Sequence, residues 1–147
     1  MSKNAEARLA ELFQAAKAAQ ANAYAPYSRF KVGAALRASG GAIYSGANVE
    51  NAAYPEGVCA ETSAISAMAR AGGRRIEEIL VIGDGKGLCT PCGGCRQRIR
   101  EFADTATTVH IAGPEGVRAT FALEELLPRS FGPHHLSPRG NREAPLR

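Results

Sequence analysis

The sequence predicts an α/β fold, in which helices pack on the faces of a β-sheet. Helical and strand segments alternate through the middle of the chain, which favours this architecture. A chain of 147 residues with a 45% hydrophobic content can bury one core, and we expect a single domain at residues 1–131. Residues 132–147 are rich in proline, glycine and polar side chains, which predicts a flexible C-terminal tail.

The first 50 residues predict one helix followed by a β-hairpin. Residues from about 4 to 21 carry an apolar stripe at helical spacing, and we expect Pro26 to end this helix. The stripe consists of Leu9, Leu12, Phe13 and Ala16. Residues 30–38 and 42–50 flank a Ser-Gly-Gly turn and predict the two strands of the hairpin.

The remaining elements alternate between helix and strand. An alanine-rich segment over about 59–71 predicts a helix that Gly72 and Gly73 stop, because glycine adopts the left-handed conformation of a C-terminal cap. The other predicted elements are a buried strand at 77–84, a helix that Pro91 opens and that runs to about residue 102, strands at 107–113 and 117–123, and a short helix at 123–128.

The positive charge of the chain does not indicate a nucleic-acid-binding face. The formal net charge is +4, but residues 129–147 hold four arginines against one acid and so account for +3 of it. No segment approaches the ~20 apolar residues of a membrane span, and the N-terminus lacks the apolar run of a secretory signal. We therefore expect a soluble, cytoplasmic protein with no nucleic-acid or membrane partner.

Four cysteines suggest a metal site, because cytoplasmic thiols stay reduced. Cys92 and Cys95 are three positions apart at a predicted helix start, where the helix dipole favours the thiolates that bind zinc. Cys59, at another helix start, can be a third ligand, which leaves one coordination position open. With Cys89 as a fourth ligand, the site would be a closed structural zinc site. Ligand spacing alone does not distinguish this closed site from an open catalytic one. An iron–sulfur cluster fits less well, because part of the bacterial cysteine pattern is missing.

Glu61 favours the open site. Alone, Cys59 and Glu61 suit a buried thiol and an acid that stabilises a helix start. A catalytic zinc, however, lowers the pKa of its water to ~7, and a nearby carboxylate can then carry a proton to a substrate. The order "CAE" and then "PCGGC" matches the pattern of the zinc nucleobase deaminases, in which the glutamate is not a ligand.

Nearly the whole chain resembles the small, homotetrameric cytidine deaminases. The resemblance lies in four segments in the family's order, "PYSRFKVGAAL", "GANVENAAYPEGVCAE", "PCGGCRQ" and "ELLPRSFGP". It implies a three-layer α-β-α sandwich with a mixed five-stranded sheet and one zinc ion per chain. It also implies a homotetramer with sites shared between subunits, and hydrolytic deamination of cytidine and 2′-deoxycytidine to uridine and 2′-deoxyuridine, with release of ammonia, in pyrimidine salvage.

The resemblance also implies roles for individual residues. Cys59, Cys92 and Cys95 would bind zinc, and Glu61 would carry a proton from water to the pyrimidine N3 and then to the leaving amino group.

A second group of residues would bind the substrate. Asn48 and Glu50 share one face of an extended segment and would bind ribose, although an exposed asparagine and glutamate are about as common from composition alone. Phe30 would pack on the pyrimidine, unless it is plain core. Ala52, Tyr54 and Phe131 would reach the site of a neighbouring subunit.

The chain departs from the family pattern after the glutamate. Many all-cysteine relatives have an arginine where this chain has Thr62, and we expect Arg96 to donate hydrogen bonds to a ligand sulfur instead. Cys89 has no family role. His110 is expected to be a satisfied structural histidine in a strand, and the two tail histidines are expected at the surface.

Three other functions would use some of the same residues. A deaminase acting on nucleic acid needs a positive track for phosphates, which residues 1–128 lack. A four-cysteine interaction module has no use for Glu61 or the sugar pair. A deaminase of a cytosine-containing antibiotic keeps the same chemistry and remains open, as does the preference between cytidine and deoxycytidine.

Overall fold

The computed structural model describes residues 1–136 and contains the expected mixed five-stranded sheet. The strands are β1 (Val32–Ala38), β2 (Ile43–Ala47), β3 (Ile76–Gly83), β4 (Thr108–Gly113) and β5 (Gly116–Ala122), and their order in the sheet is β2-β1-β3-β4-β5. The β3–β4 pair is parallel and the other neighbouring pairs are antiparallel. The helices are α1 (Lys3–Ala21), α2 (Ala60–Arg70), α3 (Gly93–Phe102) and the short α4 (Leu123–Leu126).

The helices make the fold three-layered, as expected. On one face of the sheet, Leu12 and Ala16 of α1 pack against Ala35, Leu80 and Ile82. The other face packs against α2 and α3 in a larger cluster, whose members include Ala64, Met68, Ile79, Val81, Ile99, Val109 and Ile111. Both faces of the central strand β3 are therefore buried from Ile79 to Gly83, which explains the apolar run of residues 79–82.

Helix α1 ends at Ala21, as the sequence predicts, but Pro26 is not the cause. Its C-cap is Asn22, whose N–H donates to Ala19 O, four residues before Pro26. Two residues later the backbone of Tyr24 pairs with the segment after β2, donating to Asn48 O and accepting from Glu50 N. The chain leaves the helix to make this extended pairing, so the proline is not what ends it.

Two glycines allow the close packing of helices on the sheet. A Cβ on Gly33 would lie 2.1 Å from Ala16 O of α1, and a Cβ on Gly46 would lie 2.5 Å from Ser63 Cβ of α2. Any larger residue would push the helix away from its strand. Gly46 thus sets how closely the beginning of α2 approaches β2.

His110 is the structural histidine that its strand position predicts. It is 8% exposed, and its ring nitrogens contact Thr120 Oγ1 at 3.0 Å and Glu78 Oε2 at 3.3 Å. Glu78 also accepts from Arg37 Nε at 2.9 Å. This polar cluster lies on the α1 face of the sheet.

The C-terminal end is described only in part. Residues Pro133–Leu136 of the expected tail form a 3-10 turn, and residues 137–147 lie outside the described residues. The domain limits at 1–131 and the flexibility of the tail stay predictions. Among the helices of residues 1–136, none combines the length and the apolar character that crossing a membrane requires.

Candidate metal and substrate site

Three cysteine sulfurs converge where α2 and α3 begin. Cys59 and Cys92 are the N-cap residues of these helices, and Cys95 lies in the first turn of α3. The three Sγ atoms lie within 4.8 Å of one another, and those of Cys59 and Cys92 are 4.0 Å apart. Zinc–sulfur bonds of about 2.3 Å in a tetrahedron place the sulfurs roughly 3.8 Å apart. The cluster therefore fits one zinc ion with a fourth position free.

Cys89 does not belong to this cluster, so the closed four-cysteine site is excluded. Its side chain packs against the backbone of Gly83, where an added Cβ would lie 2.8 Å from Cys89 Sγ. Burial raises the pKa of this thiol, with smaller contributions from the charges of Glu61 and Asp84. Cys89 is therefore a protonated, half-buried thiol beside the site.

The three clustered thiols differ in their electrostatics. Burial raises the pKa values of Cys59 and Cys95, whereas a backbone hydrogen bond from the first turn of α3 lowers the pKa of Cys92. A divalent cation would offset the cost of ionising all three, and its binding would release protons. The donor set therefore needs a cation to be fully ionised at neutral pH.

Glu61 is a buried carboxyl next to the cluster. It lies in the first turn of α2, two residues after Cys59, and is 5% exposed. Burial raises its pKa, and this shift is opposed by hydrogen bonds with its own backbone N–H and with Cys95, and then by the charge of Arg98. A carboxyl with a raised pKa takes up a proton more readily than an ordinary carboxyl, which suits general acid–base catalysis.

A cleft of about 550 Å³ leads to the cysteine cluster. Its wall includes Cys59 and the two predicted ribose-binding residues, Asn48 and Glu50. The other lining residues are Tyr27, Ser28, Val49, Asn51, Tyr54, Gly57 and Val58. The cleft is large enough for a ligand of nucleoside size.

Asn48 and Glu50 both hold the backbone of residues 27–32. Glu50 Oε1 accepts from the N–H groups of Tyr27 at 2.9 Å and Ser28 at 3.1 Å, and hydrogen bonds with Ser28 lower its pKa. Asn48 Oδ1 accepts from Val32 N at 2.9 Å, and its Nδ2 donates to Phe30 O at 2.9 Å. The two side chains are therefore fixed in position before any ligand binds.

The other predicted substrate residues lie at the surface. Phe30 is 38% exposed and contacts Gly83 and Gly85, so it is not plain core. Tyr54 is 76% exposed and packs edge-on against Tyr27 with ring centroids 5.8 Å apart. Ala52 is exposed as well.

Phe131 lies apart from the cleft of its own chain. It is 54% exposed, is absent from the cleft lining, and stacks on His135 at 4.7 Å between ring centroids. A role in binding would therefore have to be at another chain's cleft.

Arg96 has other partners than the ligand sulfur that we expected. Its Nε donates to Pro91 O at 2.7 Å, and its two terminal nitrogens donate to Leu126 O at 2.6 Å and Thr90 Oγ1 at 3.3 Å. The side chain thus ties the loop before α3 to the end of α4. It supports the position of the cysteines through the backbone and not through their sulfurs.

Sequence reasoning missed the contact that Thr62 makes with the cluster. Its Oγ1 lies 3.8 Å from Cys95 Sγ, although the two residues are 33 positions apart. No spacing rule links them, because the contact depends on how α2 and α3 pack. The only signal in the sequence was the absence of an arginine at this position.

Comparisons with known proteins agree on one family. The family model for the cytidine and deoxycytidylate deaminase zinc-binding region matches residues 7–111. A cytidine deaminase of Sporosarcina psychrophila is 39% identical over 127 residues, which are 86% of this chain and 93% of that protein. The crystal structure of a cytidine deaminase from Burkholderia pseudomallei, 40% identical, superposes with a TM-score of 0.77 over 89% of this chain and 100% of the other. The crystal structure of a cytidine deaminase from Mycobacterium tuberculosis is 36% identical in sequence. It superposes with a TM-score of 0.72 over 84% of this chain and 96% of the other.

Proposed function

The chain belongs to the cytidine and deoxycytidylate deaminase family, and from this premise we propose its activity and the residues that carry it out. It is a hydrolase that deaminates cytidine and 2′-deoxycytidine to uridine and 2′-deoxyuridine with zinc as its cofactor. The observation that carries this function is a three-thiol cluster of zinc dimensions with a buried glutamate beside it. Its place in metabolism is pyrimidine salvage.

Glu61 performs the proton transfers in the proposed mechanism. Cys59, Cys92 and Cys95 hold the zinc ion, which when bound supplies a Lewis acid that makes water acidic enough to react near neutral pH. Glu61 takes a proton from the attacking water and delivers it to N3 of the pyrimidine while the C4–O bond forms. Glu61 then takes the second proton of that water from the new hydroxyl on C4 and carries it to the amino group. The C4–N bond breaks and ammonia leaves. Water and cytidine thus yield uridine and ammonia, and Glu61 is regenerated.

Three residues bind the nucleoside in this proposal. Asn48 and Glu50 hold the sugar, and each keeps hydrogen-bonding capacity beyond its bonds to residues 27–32. Phe30 packs its exposed ring on the pyrimidine at the end of β3. Rigid attachment of these side chains reduces the entropy that binding would otherwise cost.

The active unit in this proposal is a homotetramer whose sites are shared between subunits. Ala52, Tyr54 and Phe131 are exposed and would complete the cleft of a neighbouring chain. Exposed aromatic side chains are also concentrated near the cleft, which is typical of a surface that another protein covers. They are Tyr24, Tyr27, Phe30 and Tyr54.

We place the enzyme in the cytoplasm, where reducing conditions keep cysteines free to bind metal. Nucleoside substrates fit the cleft better than nucleic acid does, because the residues lining it include no lysine or arginine.

The experiment is an absorbance assay on protein whose zinc content has been measured. Wild-type protein with one zinc per chain should remove the absorbance band of cytidine and leave a cytosine-containing oligonucleotide unchanged. Glu61→Gln should keep its zinc and lose at least 100-fold in turnover, since general acid–base catalysis contributes about 10²–10⁴-fold. Glu124→Gln, which changes an exposed acid of α4, is the matched control and should retain full turnover.

Two results would contradict the proposal. Bound zinc with no reaction on cytidine would remove the deaminase function. Substantial turnover in Glu61→Gln would leave the function in place but remove Glu61 from the proton transfers.

A further inference from the structure

The cysteine cluster needs hydrogen-bond donors when a metal is bound. Three thiolates around one divalent cation leave a net charge of −1, and Cys95 is fully buried. Negative charge away from water is costly unless dipoles or hydrogen bonds offset it. The N-termini of α2 and α3 supply part of this stabilisation, because Cys59 and Cys92 cap them.

Neither nearby arginine supplies a donor to the sulfurs. The guanidinium of Arg96 donates to two backbone carbonyls and to Thr90. Arg98 is exposed. Within residues 1–136, two side chains outside the cluster reach the sulfur of Cys95. The carboxyl of Glu61 is one, but an ionised carboxylate has no proton to donate. The other is the hydroxyl of Thr62, whose Oγ1 is 3.8 Å from Cys95 Sγ.

The direction of this hydrogen bond follows from the chemistry of the two groups. A thiolate bound to a metal has no proton, so it can only accept, and the threonine hydroxyl must donate. Helical threonines often turn the hydroxyl to a backbone carbonyl one turn earlier. Among the described residues, however, the hydroxyl of Thr62 has the sulfur of Cys95 as its hydrogen-bond partner.

We propose that Thr62 is a positioning residue of the metal site, which donates a hydrogen bond to the Cys95 thiolate and so tunes that ligand. The inference rests on the zinc site of the proposed function. The bond joins α2 to α3 at the point where each contributes a ligand, and it withdraws electron density from the sulfur. Loss of such a supporting group typically weakens metal binding by 10- to 100-fold.

The test compares variants in two measurements that do not depend on turnover. The first is the energy of the sulfur-to-metal charge-transfer band in protein loaded with Co²⁺ in place of zinc. The second is the dissociation constant of zinc in competition with a chelator. Thr62→Val keeps the shape of the side chain, and should shift the band to lower energy and raise the zinc Kd at least tenfold. Thr62→Ser restores a hydroxyl and should resemble the wild type in both.

A neighbouring hydroxyl provides the matched control. Ser63 Oγ donates to Ala47 O at 3.1 Å and not to a sulfur, so Ser63→Ala also loses one hydrogen bond of α2. It should leave the band and the zinc Kd unchanged. Thr62→Ala removes the hydroxyl without adding bulk, and takes the place of the valine variant if that one folds poorly.

The outcomes separate this inference from the proposed function. If the hydroxyl-free variants keep the wild-type band and zinc Kd, or if Ser63→Ala shifts both as much as they do, the role of Thr62 is overturned and the deaminase remains. If the wild type itself shows no thiolate band with Co²⁺, the three-cysteine site is overturned, and the inference falls with it.

Discussion

Glu50 holds the backbone of its own chain, and in the proposed function it also binds the sugar. One carboxylate oxygen accepts from two consecutive N–H groups, those of Tyr27 and Ser28, and these lie in the wall of the cleft. A charged acceptor makes such bonds stronger than a neutral one does. If the proposed sugar contact is present, substrate affinity depends on Glu50 in two ways, through that contact and through the position of residues 27–32.

Replacement of Glu50 should raise the Michaelis constant for cytidine. Glu50→Ala loses the sugar contact and the acceptor of both N–H groups, so we expect KM to rise at least tenfold with a smaller change in kcat. Steady-state kinetics with cytidine measures both. Glu56→Ala removes an exposed acid from the adjacent 3-10 turn and should leave KM unchanged. An unaltered KM in Glu50→Ala would remove the sugar contact from the proposal.

Sequence patterns predicted the identity of the clustered residues better than their contacts. The spacing of Cys92 and Cys95 and the nearness of Glu61 to Cys59 are local, so helix geometry alone relates them. The contact of Thr62 with Cys95 depends on packing between two helices, which no local pattern encodes. Arg96 follows Cys95 directly in the chain, yet its side chain reaches carbonyl groups on either side of α3 instead of the sulfur.

At the scale of elements, the site depends on where two helices begin. The N-terminus of α2 is held against β2 by the absence of a side chain at Gly46, and that of α3 follows the loop after β3. Each helix brings its N-cap cysteine to the same point. A displacement of either helix would separate sulfurs that must lie within 4.8 Å of one another.

Gly46→Ala should therefore weaken the metal site from a distance. The added Cβ would lie 2.5 Å from Ser63 Cβ, so α2 must move away from the sheet. We expect a loss of about 1–3 kcal/mol in the free energy of unfolding, typical of overpacking, and a higher zinc Kd. Denaturant titration and chelator competition measure the two.

The control for this variant is Gly87→Ala, since a Cβ at Gly87 meets nothing within 4 Å. It should change neither quantity. A Gly46→Ala protein with wild-type stability and zinc affinity would show that α2 can shift without cost.

The boundaries of the elements show which signals a sequence carries. Gly72, with φ of 91°, follows the end of α2 as predicted, because only glycine adopts this conformation easily. The end of α1 lies at Ala21 as predicted, but the expected cause, Pro26, was wrong, because the chain leaves the helix where Tyr24 pairs with a segment about 25 positions later. Local residue preferences therefore identify the glycine that stops α2, but not the long-range pairing that draws the chain out of α1.

At the scale of the whole molecule, a polar cluster joins α1 to strands β1, β3 and β4. Arg37, 4% exposed, donates to Glu78, to Arg8 O and to Glu11, and Glu78 in turn contacts His110. The contact with His110, followed by that with Arg37, lowers the pKa of Glu78 to about 2. These groups belong to four different elements, so their charges stabilise the fold as a unit.

Stability should depend on the charge of Glu78. Its folded pKa lies below the value of about 4.3 expected in the unfolded chain, so its contribution is fully present above pH 4.3 and is lost as the pH falls toward 2. Glu78→Gln should lower the free energy of unfolding at pH 7 by about 1–3 kcal/mol, and by less at pH 3. Chemical denaturation at the two pH values measures this.

Glu77 provides the comparison for Glu78. Glu77 is the adjacent acid, but its side chain is 39% exposed and pairs with Arg8 at 3.4 Å. Glu77→Gln should therefore lower the free energy of unfolding by less than about 1 kcal/mol. If Glu78→Gln lowered the free energy of unfolding equally at pH 7 and pH 3, the assigned pKa of Glu78 would be contradicted. Neither variant should alter the KM for cytidine, because both residues lie outside the cleft lining.

Assembly is the remaining property that belongs to the whole molecule. If sites are shared, turnover per chain should fall on dilution as tetramers dissociate, and sedimentation should show the loss of the tetramer over the same range of concentration. A carrier protein in the dilution buffer controls for adsorption to surfaces. A monomer with full turnover would contradict the shared sites.

The separation of the ligands along the chain has a consequence for unfolding. Cys59 and Cys92 are 33 positions apart, and the segment between them contains α2 and β3. A metal bound by both converts this segment into a closed ring, and the unfolded ring has far fewer conformations than the open chain. By the measure used for covalent crosslinks, a ring of this size is worth about 4 kcal/mol. The catalytic ion is thereby also a topological restraint on the strand at the centre of the core.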